Sequence, residues 1–94
     1  MRLSSSEVAA VRRVLHEIDP HGRIYLFGSR ADDAKKGGDI DLFLETSIAL
    51  DLKRKLALEY RLSADCDTRV DLLVKNPGQD EQAIFAIARR GIPL

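Results

Sequence analysis

The sequence predicts a small α/β (α+β) domain in which helices and strands alternate as α-β-α-β-α-β-α, the helices flanking a short mixed sheet of about three strands. Three observations carry this reading. Apolar residues recur at helical spacing in "LSSSEVAAVRRVLHEI", in most of "SIALDLKRKLALEYRLSAD", and in "QDEQAIFAIARR", whose acids come early. Short β-rich runs, "IYLF", "DIDLFLE" and "TRVDLLVK", lie between them and stop at turn residues. A chain of 94 residues also has room for only one core. Residues 1–94 are therefore expected to form one domain, with its chemistry completed by a partner or a second copy.

The first helix carries its own start signal. Ser4 followed by Glu7 makes a capping box, and Val8, Val11, Val14, Leu15 and Ile18 form one apolar stripe. Asp19-Pro20 ends it. "IYLF" reads as a buried strand stopping at Gly28, "SRADDAKK" as a short helix, and Gly37-Gly38 as a break. In "DIDLFLE" the alternation sends Ile40, Leu42 and Leu44 to the core and Asp39, Asp41, Phe43 and Glu45 to the other face, with Glu45 as a solvent-facing strand end. The next helix shows Leu52, Leu56 and Tyr60 at four-residue spacing, leaving Lys53, Arg54, Lys55 and Arg61 to solvent. The third strand places Val70, Leu72 and Val74 on one side and Asp71 and Leu73 on the other. The last helix is expected to turn Ile84, Phe85, Ile87 and Ala88 inward and to end at Gly91.

Composition removes several function classes. Lys and Arg together number 15, as do Asp and Glu, so no overall charge draws the chain to nucleic acid or an anionic membrane. No apolar run approaches the ~18 residues of a membrane span. The lone Cys66 reads as a small buried thiol and suits a reducing cytoplasm, the expected location. His16 and His21 have no carboxylate or cysteine at ligand spacing and read as surface residues.

The acidic strand carries the chemistry. Asp39 and Asp41 lie on one face about 6.5 to 7 Å apart at their Cα atoms, and a neighbouring third strand about 4.8 Å away brings Asp71 into the same cluster. Three carboxylates so close raise one another's pKa unless a cation intervenes. Oxygen ligands without histidine or cysteine favour Mg²⁺, whose remaining positions go to water and phosphate. Gly28 allows close backbone approach at the strand end, and Ser29 adds a hydroxyl to the amide groups of a following helix start. Arg30 can contact a phosphate or pair with a nearby acid, while Lys35 and Lys36 read as a solvated face. Together these residues describe a triphosphate held by backbone and metal, with two ions for in-line attack. Asp71 is the candidate to position or deprotonate the attacking hydroxyl.

"GSRADDAKKGGDIDLFLE" followed by "RVDLLV" resembles the minimal nucleotidyltransferases of the DNA polymerase beta-like superfamily. The resemblance covers nearly the whole chain. It implies that Gly28 and Ser29, with Arg30 beside them, bind nucleotide, that Asp39, Asp41 and Asp71 are the catalytic and metal-binding carboxylates, and that a nucleoside monophosphate passes from a triphosphate to a hydroxyl. The chain also looks like the antitoxins of HEPN/MNT pairs, some of which move AMP from ATP to a tyrosine of a HEPN-type toxin. That likeness implies a toxin partner and ATP as substrate, while the neutral charge balance gives no expectation of direct nucleic-acid binding. The alternative is a binding module of the same fold that inhibits its partner by covering it. Relatives often carry Arg and Gly where Asp32 and Asp33 stand, and Ser where Gly38 stands.

Overall fold

A computed structural model of the protein describes residues 3–32 and 38–94. Helix α1 (Ser5–Ile18) begins as its sequence dictates. The Ser4 hydroxyl accepts from the Glu7 backbone N–H at 3.1 Å while the Glu7 carboxylate accepts from the Ser4 N–H at 2.8 Å, so two amides left over by helix geometry are satisfied. Val11, Val14 and Leu15 are fully buried, and Ile18 packs at the core's margin. Strand β1 (Arg23–Phe27) leads into a single 3₁₀ turn at Gly28–Ala31, where a short helix was expected. Strand β2 (Ile40–Glu45), helix α2 (Leu52–Cys66), strand β3 (Val70–Lys75), helix α3 (Ala83–Arg89) and strand β4 (Ile92–Pro93) follow.

The sheet has four strands in the order β3-β2-β1-β4, one more than expected. β2 and β3 run parallel, and the other neighbours are antiparallel. The added strand is the tail "GIPL": Ile92 and Pro93 pair with Leu26 and Tyr25, and the Leu94 N–H donates to the Ile24 carbonyl at 2.8 Å. A proline is tolerated there because β4 is an edge. At the opposite edge, α2 covers the outward amides of β3. The Val70 N–H donates to Ser63 Oγ at 2.9 Å and the Leu72 N–H to Glu59 Oε2 at 2.7 Å, so this edge offers little to a foreign strand.

Helices α1 and α2 share one face of the sheet, where they enclose Ile24, Leu26, Ile40, Leu42, Leu44, Val70 and Leu72. Cys66 lies buried and unbridged at the end of α2. The other face is not simply polar, as the alternation of β2 suggested. Phe43 is fully buried there beneath Phe85 and Ala88 of α3, stacked on Phe85 at 5.5 Å and on half-buried Tyr25 at 5.8 Å. A period of two assigns a residue to a face but does not say what covers that face.

Two helix faces depart from expectation. In α2 the buried stripe is Leu58, Leu62 and Cys66, while Leu52, Leu56 and Tyr60 stand 68%, 49% and 81% exposed. Both stripes have four-residue spacing, and the sheet has room for one. Arg61 is exposed as expected and pairs with Glu17 at 2.8 Å, whereas Lys55 is half-buried and pairs with Glu59 at 3.6 Å. In α3 only Phe85 and Ala88 turn inward. Ile84 and Ile87 are exposed because a seven-residue helix lying on one sheet face buries one narrow side. Glu45 is likewise no solvated strand end: Arg89 donates to its two oxygens at 2.8 and 3.1 Å, and the guanidinium lies 5.7 Å from the Phe43 ring centroid.

Candidate nucleotide and metal site

β1 and β2 bring the two halves of the candidate site together. The chain leaves β1 at Phe27, which is paired with Asp41, and turns at Gly28 with φ +73°, in the region a side chain disfavours. A Cβ on Gly28 would strike the Asp41 carboxylate. Glycine is therefore required twice over, by backbone angle and by the acid lying against it. Gly38 sits at φ +91° with its Cα facing the Ser29 hydroxyl, and a Cβ there would collide with Ser29 Oγ. The Arg30 Nε–H donates to the Gly38 carbonyl at 3.1 Å. Arg30 thus fastens the 3₁₀ turn to the segment that enters β2. Asp32 closes that turn, its N–H donating to the Ser29 carbonyl at 3.2 Å. Asp33, Lys35, Lys36 and Gly37 lie outside the described residues.

The parallel register sets Asp41 directly beside Asp71. Asp39 and Arg69 immediately precede the paired Ile40 and Val70, and the Ile40 N–H donates to the Arg69 carbonyl at 3.0 Å. Strand alternation then puts Asp39, Asp41, Arg69 and Asp71 on one face as four corners of a quadrilateral. Burial pushes the pKa of Asp41 up, and the charges of Asp71 and Asp39 push it further. The Arg69 Nε lies 3.2 Å from Asp71 Oδ1 and 3.8 Å from Asp39 Oδ2. Among the described residues no three acidic, histidine or cysteine side chains form a ready-made metal cage.

Sequence reasoning overlooked Arg69, although its position two residues before Asp71 signals a shared face. It also read Asp19 only as part of a helix stop. Asp19 is almost wholly buried and receives the Ser47 N–H and Oγ–H at 2.6 Å each, the Thr46 hydroxyl at 2.9 Å and the His21 N–H at 3.1 Å. Burial opposes its charge, but these donors prevail and hold its pKa down at about 2. This knot joins the start of β1 to the end of β2, at the opposite end of the sheet from Asp41. His21 contributes its backbone and is exposed, while His16 is half-buried in α1.

The chain as a whole has counterparts among known proteins. The family described as Polymerase beta, Nucleotidyltransferase matches residues 11–94. Over 73 residues the chain is 36% identical to a probable protein adenylyltransferase MntA of Haemophilus influenzae, covering 76% of this chain and 64% of that relative. It thus spans just under two thirds of that protein's length. Among solved structures, a chain of a toxin-antitoxin crystallised with AMP-PNP superposes with a TM-score of 0.64 at 27% identity, over 77% of this chain and 57% of that one. A chain of a mutant MntA-HpeT toxin-antitoxin complex superposes with a TM-score of 0.75, over 99% of this chain and 72% of that one; at 23% identity this is a likeness of fold. By its family match, the chain belongs to the polymerase beta nucleotidyltransferases.

Proposed function

We propose that this protein transfers AMP from ATP to a hydroxyl, a tyrosine for preference, of a HEPN-type toxin and so acts as its antitoxin in the cytoplasm. The observation that carries the reading is the packing of Gly28 against Asp41 while Asp41 stands in register with Asp71. A turn suited to phosphate and a set of carboxylates suited to metal thereby share one corner of the sheet. The adenylyltransferase relative and the toxin-antitoxin neighbour crystallised with AMP-PNP favour ATP and a toxin as the two substrates.

Asp39, Asp41 and Asp71 would hold Mg²⁺. Their fit rests on the donor set, carboxylates alone, and on the mutual field that raises Asp41. When bound, such ions stabilise charge on the attacking and leaving oxygens of an in-line displacement. The chain's own residues do the rest. Gly28 lets the backbone approach the triphosphate, and Ser29 and Arg30 flank it. Asp71 orients the acceptor hydroxyl and takes its proton as the new bond to the α-phosphorus forms; the bond to the bridging oxygen breaks and pyrophosphate leaves.

A second reading, a non-catalytic antitoxin that works by covering its partner, draws support from the exposed Leu52, Leu56 and Tyr60. Intact mass of the partner after incubation with ATP and Mg²⁺ separates the two. Addition of AMP by the native chain, absent with an Asp39→Asn, Asp41→Asn double variant, supports transfer. An unchanged mass in a stable complex rules out transfer and leaves the covering role.

A further inference from the structure

The geometry points to Arg69 as a resident counter-ion of the carboxylate cluster, one that a divalent cation must displace before the site is loaded. This inference rests on the metal-binding reading of Asp39, Asp41 and Asp71 given above.

Two strands set the arrangement. Arg69 and Asp71 share a face of β3, and Asp39 and Asp41 share the adjoining face of β2. The Arg69 Nε–H donates to Asp71 Oδ1 at 3.2 Å, and Nε is 3.8 Å from Asp39 Oδ2. One guanidinium thus spans acids on two strands, while Asp41 between them keeps a raised pKa. A metal ion shared by Asp39 and Asp71 would draw its ligands from the same carboxylates, and two cations cannot share their facing oxygens without repulsion. Arg69 is well suited to yield. Its side chain is 72% exposed and its contacts are long, so leaving for solvent costs little. Arg89, on the same face, is built for permanence: it is 33% exposed, bonded at 2.8 Å to both Glu45 and Glu81, and laid over Phe43.

The counter-ion has two consequences. It lowers repulsion among the acids in the metal-free chain, and it sets a threshold that the arriving cation must exceed. Removing it therefore weakens the metal-free fold slightly and strengthens metal binding.

The test is titration of Mn²⁺ into the whole chain without nucleotide, following the electron-paramagnetic-resonance signal of the free ion. Native protein, Arg69→Gln, Arg69→Lys and an Asp41→Asn, Asp71→Asn double variant are compared. Arg12→Gln, a charge-matched change on the exposed side of α1, controls for net charge. Arg69→Gln is expected to bind Mn²⁺ roughly three- to tenfold tighter than native, the range that two exposed ion pairs support, with Arg69→Lys between them and Arg12→Gln near native. Melting supplies a second readout: the rise in Tm on adding Mn²⁺ should be larger for Arg69→Gln, whereas loss of a merely structural bridge would lower both melts equally. If native binding depends on the acids but Arg69→Gln binds no tighter, the counter-ion role is overturned and the metal site stands. Native binding no better than that of the double acid variant would remove the metal site, and the inference with it.

Discussion

Asp19, where β1 begins and β2 finishes, and Asp41, at the other end of the same two strands, are both drawn out of water, yet their surroundings treat the charge in opposite ways. Four hydrogen bonds from His21, Thr46 and Ser47 converge on Asp19, and its pKa sits at about 2 despite burial. Asp41 has burial and two like charges, and its pKa rises. Among the described residues no hydrogen bond to its carboxylate offsets them. One end of the sheet satisfies its acid from within. The other leaves its acid opposed by burial and by like charge, which is the arrangement expected where local stability is given up for binding.

Breaking the satisfied end should cost most. Asp19→Ala deprives the Ser47 and His21 amides and the Ser47 hydroxyl of their acceptor, while the Thr46 hydroxyl can turn to the Ile48 carbonyl, and is expected to lower unfolding free energy by about 2 to 4 kcal/mol, read by urea denaturation. Acid should attack the same end in the native chain. A carboxyl whose folded pKa lies below its unfolded value stabilises fully above the unfolded value near 3.8 and loses that contribution as pH falls through about 2. The expected loss is about 2 kcal/mol across that window, and it should vanish in Asp19→Asn.

At the other end, Gly28→Ala forces a side chain into a positive φ and against the Asp41 carboxylate. A cost of about 1 to 3 kcal/mol is expected, together with weakened metal binding because Asp41 must move. The smallest effect has the opposite sign. Asp41→Asn removes an unfavourable charge, so the metal-free variant should melt a degree or two higher than native at neutral pH, a gain of a few tenths of a kcal/mol. Because the folded pKa of Asp41 is raised, its penalty is present above that pKa and disappears as pH falls below it, so the gain should be gone near pH 3. A lower melting temperature at neutral pH would contradict the unfavourable charge assigned to this end.

Much of the fold was legible because its signals are local. Ser4 and Glu7 announce α1, and Ile40, Leu42 and Leu44 fix the core face of β2. The candidate site was legible for the same reason: strand alternation puts Asp39 and Asp41 on one face from sequence alone. Arg69 and the Glu45–Arg89 pair were not legible as partners. The two members of the Glu45–Arg89 bond lie 44 positions apart in the chain.

By itself, the sequence determined the order of the three main strands and the three helices, where α1 starts, and which side of each acidic strand carries its carboxylates. These follow from backbone geometry and short-range hydrogen bonding. It did not determine where α3 begins: the expected helix took in residues 79–82, and the observed one starts at Ala83. Only the tertiary structure decided that Leu58 rather than Leu56 faces the sheet, that α3 roofs Phe43, that the tail adds a fourth strand, and that Asp41 meets Asp71 with Arg69 alongside. Each of those outcomes depends on which surface another element covers, and several coverings satisfy the same periodicity until the chain is packed.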